Sequence, residues 1–141
     1  MNDFIIFLDV DGVLNQLQRN YFIDVDCVER LAILVNKLNA KIVLSSTWRF
    51  GYSNTGKCSP QVEKLKVIFD RYNIKIVGRT PNLGDRGAEI NKYIKDKDIK
   101  RYIVIDDDKS EFKTNVSNIY FTKSSRGISK EDIKSIMDMI K

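Results

Sequence analysis

The sequence predicts an α/β fold in which a mainly parallel sheet of five strands lies between two layers of helices. Short apolar runs alternate along the chain with longer segments whose apolar residues recur at helical spacing. This alternation indicates βαβ units and a parallel sheet that is covered on both faces. A length of 141 residues suits one domain with its own core. Residues 1–141 are therefore interpreted as a single domain.

The N-terminal half predicts two strands and two helices. The run Phe4–Leu8 has the composition of a strand buried on both faces, and Ile42–Leu44 is the second strand. Asp24 or Asp26 caps the helix between them. Residues 49–60 (RFGYSNTGKCSP) are rich in turn-forming residues and predict a mobile loop. The second helix starts near Pro60, and the two helices carry apolar residues at Val28, Leu31, Leu34, Val35 and Leu38 and at Val62, Leu65, Phe69 and Tyr72.

The C-terminal half predicts three further strands and two further helices. The third strand is predicted around Ile74, Ile76 and Val77, and the fourth and fifth are the apolar runs Tyr102–Ile105 and Ile119–Phe121. Asp85 is a candidate cap for the helix before the fourth strand. Ser129 caps the last helix, and Asp132 lies three residues on, in an arrangement like a capping box. The apolar positions of these two helices are Ile90, Tyr93 and Ile94, and Ile133, Ile136, Met137 and Ile140.

Composition limits the chemistry that the chain can perform. The sequence has no histidine, which excludes Ser-His-Asp and Cys-His catalysis and histidine-bearing zinc sites. A general acid or base must then be a carboxylate, lysine, tyrosine or cysteine. The net charge of +5 favours an anionic partner such as a phosphate or a nucleic acid. A general bias toward lysine explains the same charge equally well.

Several absences bear on location. No apolar run approaches the roughly 20 residues that a membrane span needs, and the N-terminus lacks the basic region of a signal peptide. Cys27 and Cys58 have no metal-site spacing and no secretory context. These features predict a cytoplasmic protein with no membrane partner.

Polar residues follow three of the predicted strands, at the point where each strand ends. Asp9 and Asp11 follow the first strand, and Ser45 and Ser46 follow the second. Three aspartates, 106–108, follow the fourth. In an open parallel sheet, ligands bind beyond the C-terminal ends of the strands, where the strand order reverses. These side chains are therefore predicted to meet at one edge of the sheet.

The chemistry of these residues suits phosphoryl transfer. Carboxylates at positions i and i+2 of a strand point the same way and repel unless a cation or a shared proton relieves them. Mg²⁺ prefers oxygen ligands and takes one or two carboxylates together with substrate phosphate. Asp9 is the candidate nucleophile, and Asp11 the candidate general acid and base. The hydroxyl and amide groups of Ser45 and Ser46 suit phosphoryl oxygens, and an arginine would neutralise the developing charge.

Three motifs carry a resemblance to a known family: DVDGVLN (9–15), IVLSSTWR (42–49) and YIVIDDD (102–108). Over essentially its whole length the chain resembles the haloacid dehalogenase (HAD) superfamily of phosphohydrolases. The resemblance implies a Rossmann-like domain and Mg²⁺ as cofactor. It also implies roles for individual residues: nucleophile Asp9, acid and base Asp11, phosphate ligand Ser45, and Mg²⁺ ligands Asp9, Asp11, Asp106 and Asp107. Whether Asp107 or Asp108 assists Asp106 stays open.

The third motif of the superfamily departs from the usual pattern. That motif is usually a lysine near the start of the helix before the fourth strand, whereas the stretch GDRGAEI (84–90) offers Arg86. Arginine keeps its charge and grips phosphate in a bidentate way, so the replacement is workable. Arg79 is the rival, and its alternative interpretation is a surface charge at the end of a strand. Arg86 is the favoured phosphate ligand.

A narrower resemblance rests on the short motifs VLSSTWR, VGRTP, RGAEI, IDDD and RGIS. Together they are similar to a small branch of the superfamily without a cap domain, associated with RNA repair and with phage-type nucleic-acid processing. The intervals between the motifs leave no room for a cap domain. The resemblance would place Trp48 and Arg49 at the mouth of the site, where the indole stacks on a base and the guanidinium binds phosphate. Ordinary packing of Trp48 beneath the loop is the alternative.

The sequence therefore predicts a Mg²⁺-dependent phosphatase that acts through an aspartyl-phosphate on Asp9. Its substrate is a phosphorylated molecule, either a nucleotide or a nucleic-acid end. Two alternatives stay open: a metal-dependent nuclease, since clustered carboxylates also serve two-metal cleavage, and a non-catalytic domain that binds phosphate or a partner. The DxDG arrangement with Ser45 favours the covalent route, and a pure binder has no need of both Asp9 and Asp11.

Overall fold

The structure, a computed structural model, describes residues 3–16 and 22–140 and confirms the α/β prediction. The strands are β1 (Phe4–Leu8), β2 (Ala40–Leu44), β3 (Ile76–Arg79), β4 (Arg101–Asp106) and β5 (Ile119–Phe121). The α-helices within the described ranges are α1 (Val25–Leu38), α2 (Pro60–Arg71), α3 (Arg86–Lys97) and α4 (Lys130–Ile140). All strand pairs are parallel, and the order across the sheet is β3-β2-β1-β4-β5.

The register of the sheet aligns the ends of its central strands. Leu8 of β1 pairs with Leu44 of β2 and with Ile105 of β4. The next residue on each strand is polar, and all three therefore lie at the same level of the sheet. The strand order also reverses beside β1, because the chain runs outward through β2 and β3 and then returns to place β4 on the other side. This switch point is where an open α/β sheet binds its ligands.

Alternate residues of each strand face opposite layers, as expected for a sheet buried on both faces. Ile6 and Leu8 pack in a core with helices α1, α2 and α4. Ile5 and Phe7 pack in a second core with residues of α3. The domain has three layers, and the sheet is the middle one.

Helix caps fall where the sequence predicts them. Asp24 rather than Asp26 caps α1 and accepts a hydrogen bond from the Asp26 N–H. Asp85 caps α3. At α4 the capping box is formed in both directions: the Asp132 N–H donates to Ser129 Oγ over 3.1 Å, and the Ser129 N–H donates to Asp132 Oδ2 over 2.8 Å. Each of these bonds satisfies a backbone donor that the first helical turn leaves unpaired.

Two segments differ from the predictions. β3 begins at Ile76, so Ile74 is a buried loop residue rather than part of the strand. The predicted loop 49–60 starts inside a 3₁₀ helix, Thr47–Gly51, and includes the buried residues Tyr52 and Cys58. The turn-forming composition of residues 49–60 did not indicate this ordered structure, because Tyr52 and Cys58 are buried by contacts with other elements of the fold.

The connections of the sheet are too short for a cap domain. The chain has only residues 9–24 between β1 and α1, and only residues 80–85 between β3 and α3. The C-terminal edge of the sheet is therefore left without an inserted domain, as predicted. Among the described helices, none combines the length and the hydropathy required to cross a membrane.

Candidate active site

A cluster of three carboxylates lies at the ends of β1 and β4. Asp9, Asp106 and Asp107 each place one oxygen within 4.8 Å of the others. Asp9 and Asp106 are buried, and Asp107 is partly exposed. Asp108 points away from the cluster: it caps a short 3₁₀ helix by accepting from the Ser110 N–H. Of the two aspartates that the sequence left open, the structure groups Asp107 with Asp106 and Asp9; its predicted role as a metal ligand stays a prediction.

The electrostatics of the cluster call for a positive charge. Burial, together with the nearby Asp106 carboxylate and a hydrogen bond with Asp107, raises the pKa of Asp9 to about 10, and Arg86 opposes this shift. Burial also raises the pKa of Asp106. In both residues the main cause is the lost hydration of a buried carboxylate, and at Asp9 the neighbouring negative charge of Asp106 adds to it. Cation binding would return Asp9 to its ionised form, and an all-oxygen donor set suits Mg²⁺.

Arg86 supplies part of that positive charge. Its Nη1 atom lies 2.8 Å from Asp106 Oδ2 and 3.8 Å from Asp9 Oδ1. The side chain is 11% exposed, so it is held within the site but reaches its surface. Arg79 instead donates from Nη1 to the backbone carbonyl of Arg49 over 3.1 Å. Of the two candidate arginines, the structure brings Arg86 to the carboxylates.

The two serines after β2 have different environments. Ser45 is fully buried, and its hydroxyl has no hydrogen-bond partner within the described part of the chain. A buried hydroxyl without a partner loses its hydration with no compensation, and the predicted contact of Ser45 with phosphate stays a prediction. Ser46 Oγ accepts from the Trp48 N–H and caps the 3₁₀ helix. The proposed contact of Ser46 with phosphate stays a prediction.

Asp11 lies beside the cluster rather than in it. Its Oδ1 atom accepts a hydrogen bond from Asn15 Nδ2 over 2.9 Å, and its Oδ2 atom accepts from Trp48 Nε1 over 3.1 Å. The structure does not place this carboxylate among the three grouped oxygens of Asp9, Asp106 and Asp107. The predicted roles of Asp11 as a metal ligand and as an acid and base stay predictions.

Arg49 and Trp48 are buried in contacts within the protein. Arg49 donates to the carbonyls of Ser45 and Ser46 and pairs with Glu89 over 3.1 Å. Trp48 is 6% exposed and packs in the core. These positions favour the packing alternative for Trp48 and give Arg49 an internal partner. Their predicted contacts with substrate stay predictions.

Gly12 makes the close approach of Asp107 possible. Its φ angle is +84°, and a Cβ atom there would lie 2.0 Å from Asp107 Oδ2. We expect Gly12→Ala to displace the Asp107 carboxylate and to weaken Mg²⁺ binding at least about tenfold, as measured by titration calorimetry. Gly84→Ala is the matched control, because Gly84 has a φ of +81° and a Cβ atom added there would meet nothing within 4 Å. Equal affinities in the two variants would contradict the expectation.

The fold and the site together define a class of protein. A parallel sheet with this strand order, with aspartates after β1 and β4, serine after β2 and a basic residue at the start of α3, is that of a HAD-superfamily domain. The sequence matches the family described as the HAD domain in Swiss Army Knife RNA repair proteins over residues 5–133, and the chain belongs to this family. Among curated proteins, none matches the chain.

Two residues of the site were not predicted from the sequence. Asn15 lies within the first motif, four residues after Asp11, and its amide contacts both Asp11 and the Gly12 N–H. Its place in the motif was a usable signal. For Glu89 the sequence carried no such signal, because a glutamate in a helix is ordinarily exposed. Only the structure shows that Glu89 is buried in an ion pair with Arg49.

Proposed function

We propose that the protein is a Mg²⁺-dependent phosphomonoester hydrolase that acts through an aspartyl-phosphate on Asp9. The observation that carries this proposal is the convergence of unlike groups at one edge of the sheet. Asp9, Asp106 and Asp107 form a carboxylate cluster, Arg86 contacts it, and the Ser45 hydroxyl is buried without a partner among the described residues. A nucleophile, a cation site and phosphate-binding donors are the groups that phosphoryl transfer requires.

The donor set fits Mg²⁺ on physical grounds. Asp9, Asp106 and Asp107 offer only oxygen, and the raised pKa of Asp9 reflects its burial beside the Asp106 carboxylate, which Arg86 only partly offsets. These three residues would hold the ion. When bound, Mg²⁺ would neutralise negative charge on the cluster and on the phosphoryl group.

The first half of the reaction forms the covalent intermediate. A carboxylate oxygen of Asp9 attacks phosphorus, and the bond between phosphorus and the leaving oxygen breaks. Asp11 gives its proton to that oxygen, which departs as a hydroxyl group. Arg86 and the Ser45 hydroxyl stabilise the charge on the phosphoryl oxygens.

The second half returns the enzyme to its starting state. Asp11, now a carboxylate, takes a proton from a water molecule as that water attacks phosphorus. The bond between Asp9 and phosphorus breaks, inorganic phosphate leaves, and Asp9 is again a carboxylate. Asp11 serves as acid and then as base, so its position beside the cluster affects both halves.

The substrate that we propose is a nucleotide or a nucleic-acid end phosphate. Three observations support it: the family is that of HAD domains in RNA repair proteins, the sheet edge carries no cap domain, and the net charge is +5. An uncapped edge leaves room for a large substrate, and positive charge favours a polyanion. A cytoplasmic location stays a prediction.

Phosphate release from a panel of substrates tests the function and its metal dependence. The panel holds an aryl phosphate, nucleoside monophosphates, and oligoribonucleotides with a 5′- or a 3′-phosphate. We expect release with Mg²⁺ and loss of release in a chelator, restored by adding excess Mg²⁺. Strand cleavage in place of phosphate release would favour the nuclease. Binding of phosphorylated RNA with no release would favour the non-catalytic domain, and either result would overturn the phosphatase proposal.

A further inference from the structure

We propose that Trp48 and Asn15 are positioning residues that hold the Asp11 carboxyl group for proton transfer to the leaving oxygen. This inference rests on the proposed function and goes beyond it by assigning two residues that act through Asp11. Its basis is that both oxygens of Asp11 accept an N–H bond, one from Asn15 over 2.9 Å and one from Trp48 over 3.1 Å.

The Asn15 contact is fixed by a second bond on the same amide. Asn15 is 1% exposed, and its Oδ1 atom accepts from the Gly12 N–H over 2.8 Å. An amide whose oxygen faces an N–H donor must present its NH₂ group elsewhere, and here that group faces Asp11. The turn after β1 therefore fixes the orientation of the donor.

The Trp48 contact is fixed by the core and by the 3₁₀ helix Thr47–Gly51. The indole packs among buried residues, and the Trp48 backbone N–H is capped by Ser46 Oγ over 3.2 Å. Indole nitrogen is only a donor, so its placement beside a carboxylate matches its chemistry. Trp48 thereby connects Asp11 to the segment that carries Ser45.

Two donors on two oxygens determine the plane of the carboxyl group. Asp11 is partly exposed, and without these bonds its side chain would be free to rotate toward water. A carboxylate has about four lone-pair sites. Two accept from Asn15 and Trp48, and one of the remaining two can carry the proton that passes to the leaving oxygen of the substrate. Misplacement of a catalytic group by about 1 Å costs roughly a hundredfold in rate.

Substrates with different leaving groups distinguish the loss of Asp11 positioning from a general loss of protein stability. An alkyl oxygen, such as that of a ribose, needs a proton as its bond to phosphorus breaks. A 4-nitrophenolate leaves without one, because its negative charge is delocalised. Loss of Asp11 positioning should therefore reduce kcat/KM for a nucleotide or an RNA phosphate much more than kcat/KM for 4-nitrophenyl phosphate.

The experiment compares Trp48→Phe with wild type on two substrates: 4-nitrophenyl phosphate and the nucleotide or RNA phosphate with the highest kcat/KM in the panel. Phenylalanine keeps an aromatic ring and removes the N–H donor. We expect kcat/KM to fall about 10- to 100-fold on the alkyl phosphate and to change little on the aryl phosphate. Asn15→Ala is a second variant, and we expect the same selective loss from it.

Tyr52→Phe is the matched control. It also removes a donor from a buried aromatic residue, since the Tyr52 hydroxyl donates to Asn54 Oδ1 and lies 3.3 Å from the Ile76 carbonyl oxygen. The ratio of the two kcat/KM values should stay at the wild-type value. An equal loss on both substrates in Trp48→Phe and Asn15→Ala, or no loss in either, would overturn the positioning role alone. A wild-type protein that releases phosphate from neither substrate would overturn the proposed function instead.

Discussion

Asp9→Asn abolishes phosphate release and at the same time stabilises the metal-free protein: this pair of opposite effects is the largest that we expect from one substitution. Loss of the nucleophile should lower kcat by roughly a thousandfold or more, on the order of the losses seen when a covalent nucleophile is removed. Asparagine has nearly the same shape but no charge, so the fold should be retained. Rapid-quench labelling with a radioactive phosphate ester should show a phosphoenzyme in wild type and none in the variant.

The gain in stability follows from the environment of Asp9. The carboxyl group is buried beside Asp106 and Asp107, and its pKa rises from an ordinary 3.8 to about 10. Between these values the folded state binds a proton that the unfolded state has released. The free energy of unfolding of the metal-free protein should therefore fall as pH rises from about 4 to about 10.

Thermal melts in a chelator between pH 5 and pH 9 measure this dependence. Asp9→Asn should melt higher than wild type at pH 8 and should lose less stability as pH rises. Asp70→Asn is the control, because Asp70 is exposed on α2 and should leave the wild-type pH dependence unchanged. Mg²⁺ should stabilise wild type more than Asp9→Asn. A variant that melts below wild type at pH 8 would contradict the electrostatic account of the site.

Glu89→Ala should have the largest effect on folding. Glu89 Oε2 lies 3.1 Å from Arg49 Nη2, with side-chain exposures of 4% and 5%, and it also accepts from the Leu83 N–H over 2.9 Å. Burial lowers the pKa of Arg49, and the Glu89 carboxylate opposes that shift. Removing one member of a buried ion pair leaves the other charge uncompensated, which costs about 3–5 kcal/mol in the free energy of unfolding.

Chemical denaturation at equilibrium measures that loss. Lys92→Ala is the matched control on the same helix, because Lys92 pairs with Asp96 over 2.8 Å while each side chain is 51% exposed. An exposed pair of this kind contributes about 0.5 kcal/mol or less. Similar losses in Glu89→Ala and Lys92→Ala would show that burial does not determine the contribution of the Arg49–Glu89 pair.

The same ion pair connects two parts of the candidate site. Arg49 binds the carbonyls of Ser45 and Ser46, and Glu89 lies on α3, one turn after Arg86. The pair therefore holds the segment after β2 against the helix that carries the basic residue of the site. A loss of phosphate affinity in Glu89→Ala is a consequence that we expect from this connection.

Features that depend on residues near one another in sequence were predictable. The apolar run of β1, the Asp24 cap and the box formed by Ser129 and Asp132 all follow from spacings of a few residues. The position of Asp9 at the end of a buried strand is of the same kind. Ile74 shows the limit, because it has the composition of a strand residue but lies outside the register that β2 offers.

By itself, the sequence determined the α/β class, the order of the elements and the edge of the sheet at which the polar residues meet, because periodicity, capping and strand ends are local properties. Only the tertiary structure decided which polar groups touch. It brought Arg86 to Asp106, 20 residues further along the chain, and left Arg79 bound to the Arg49 carbonyl. It also joined Asp11 to Trp48 across 37 residues. Such pairs depend on strand register and on how helices pack, and no short stretch of sequence contains that information.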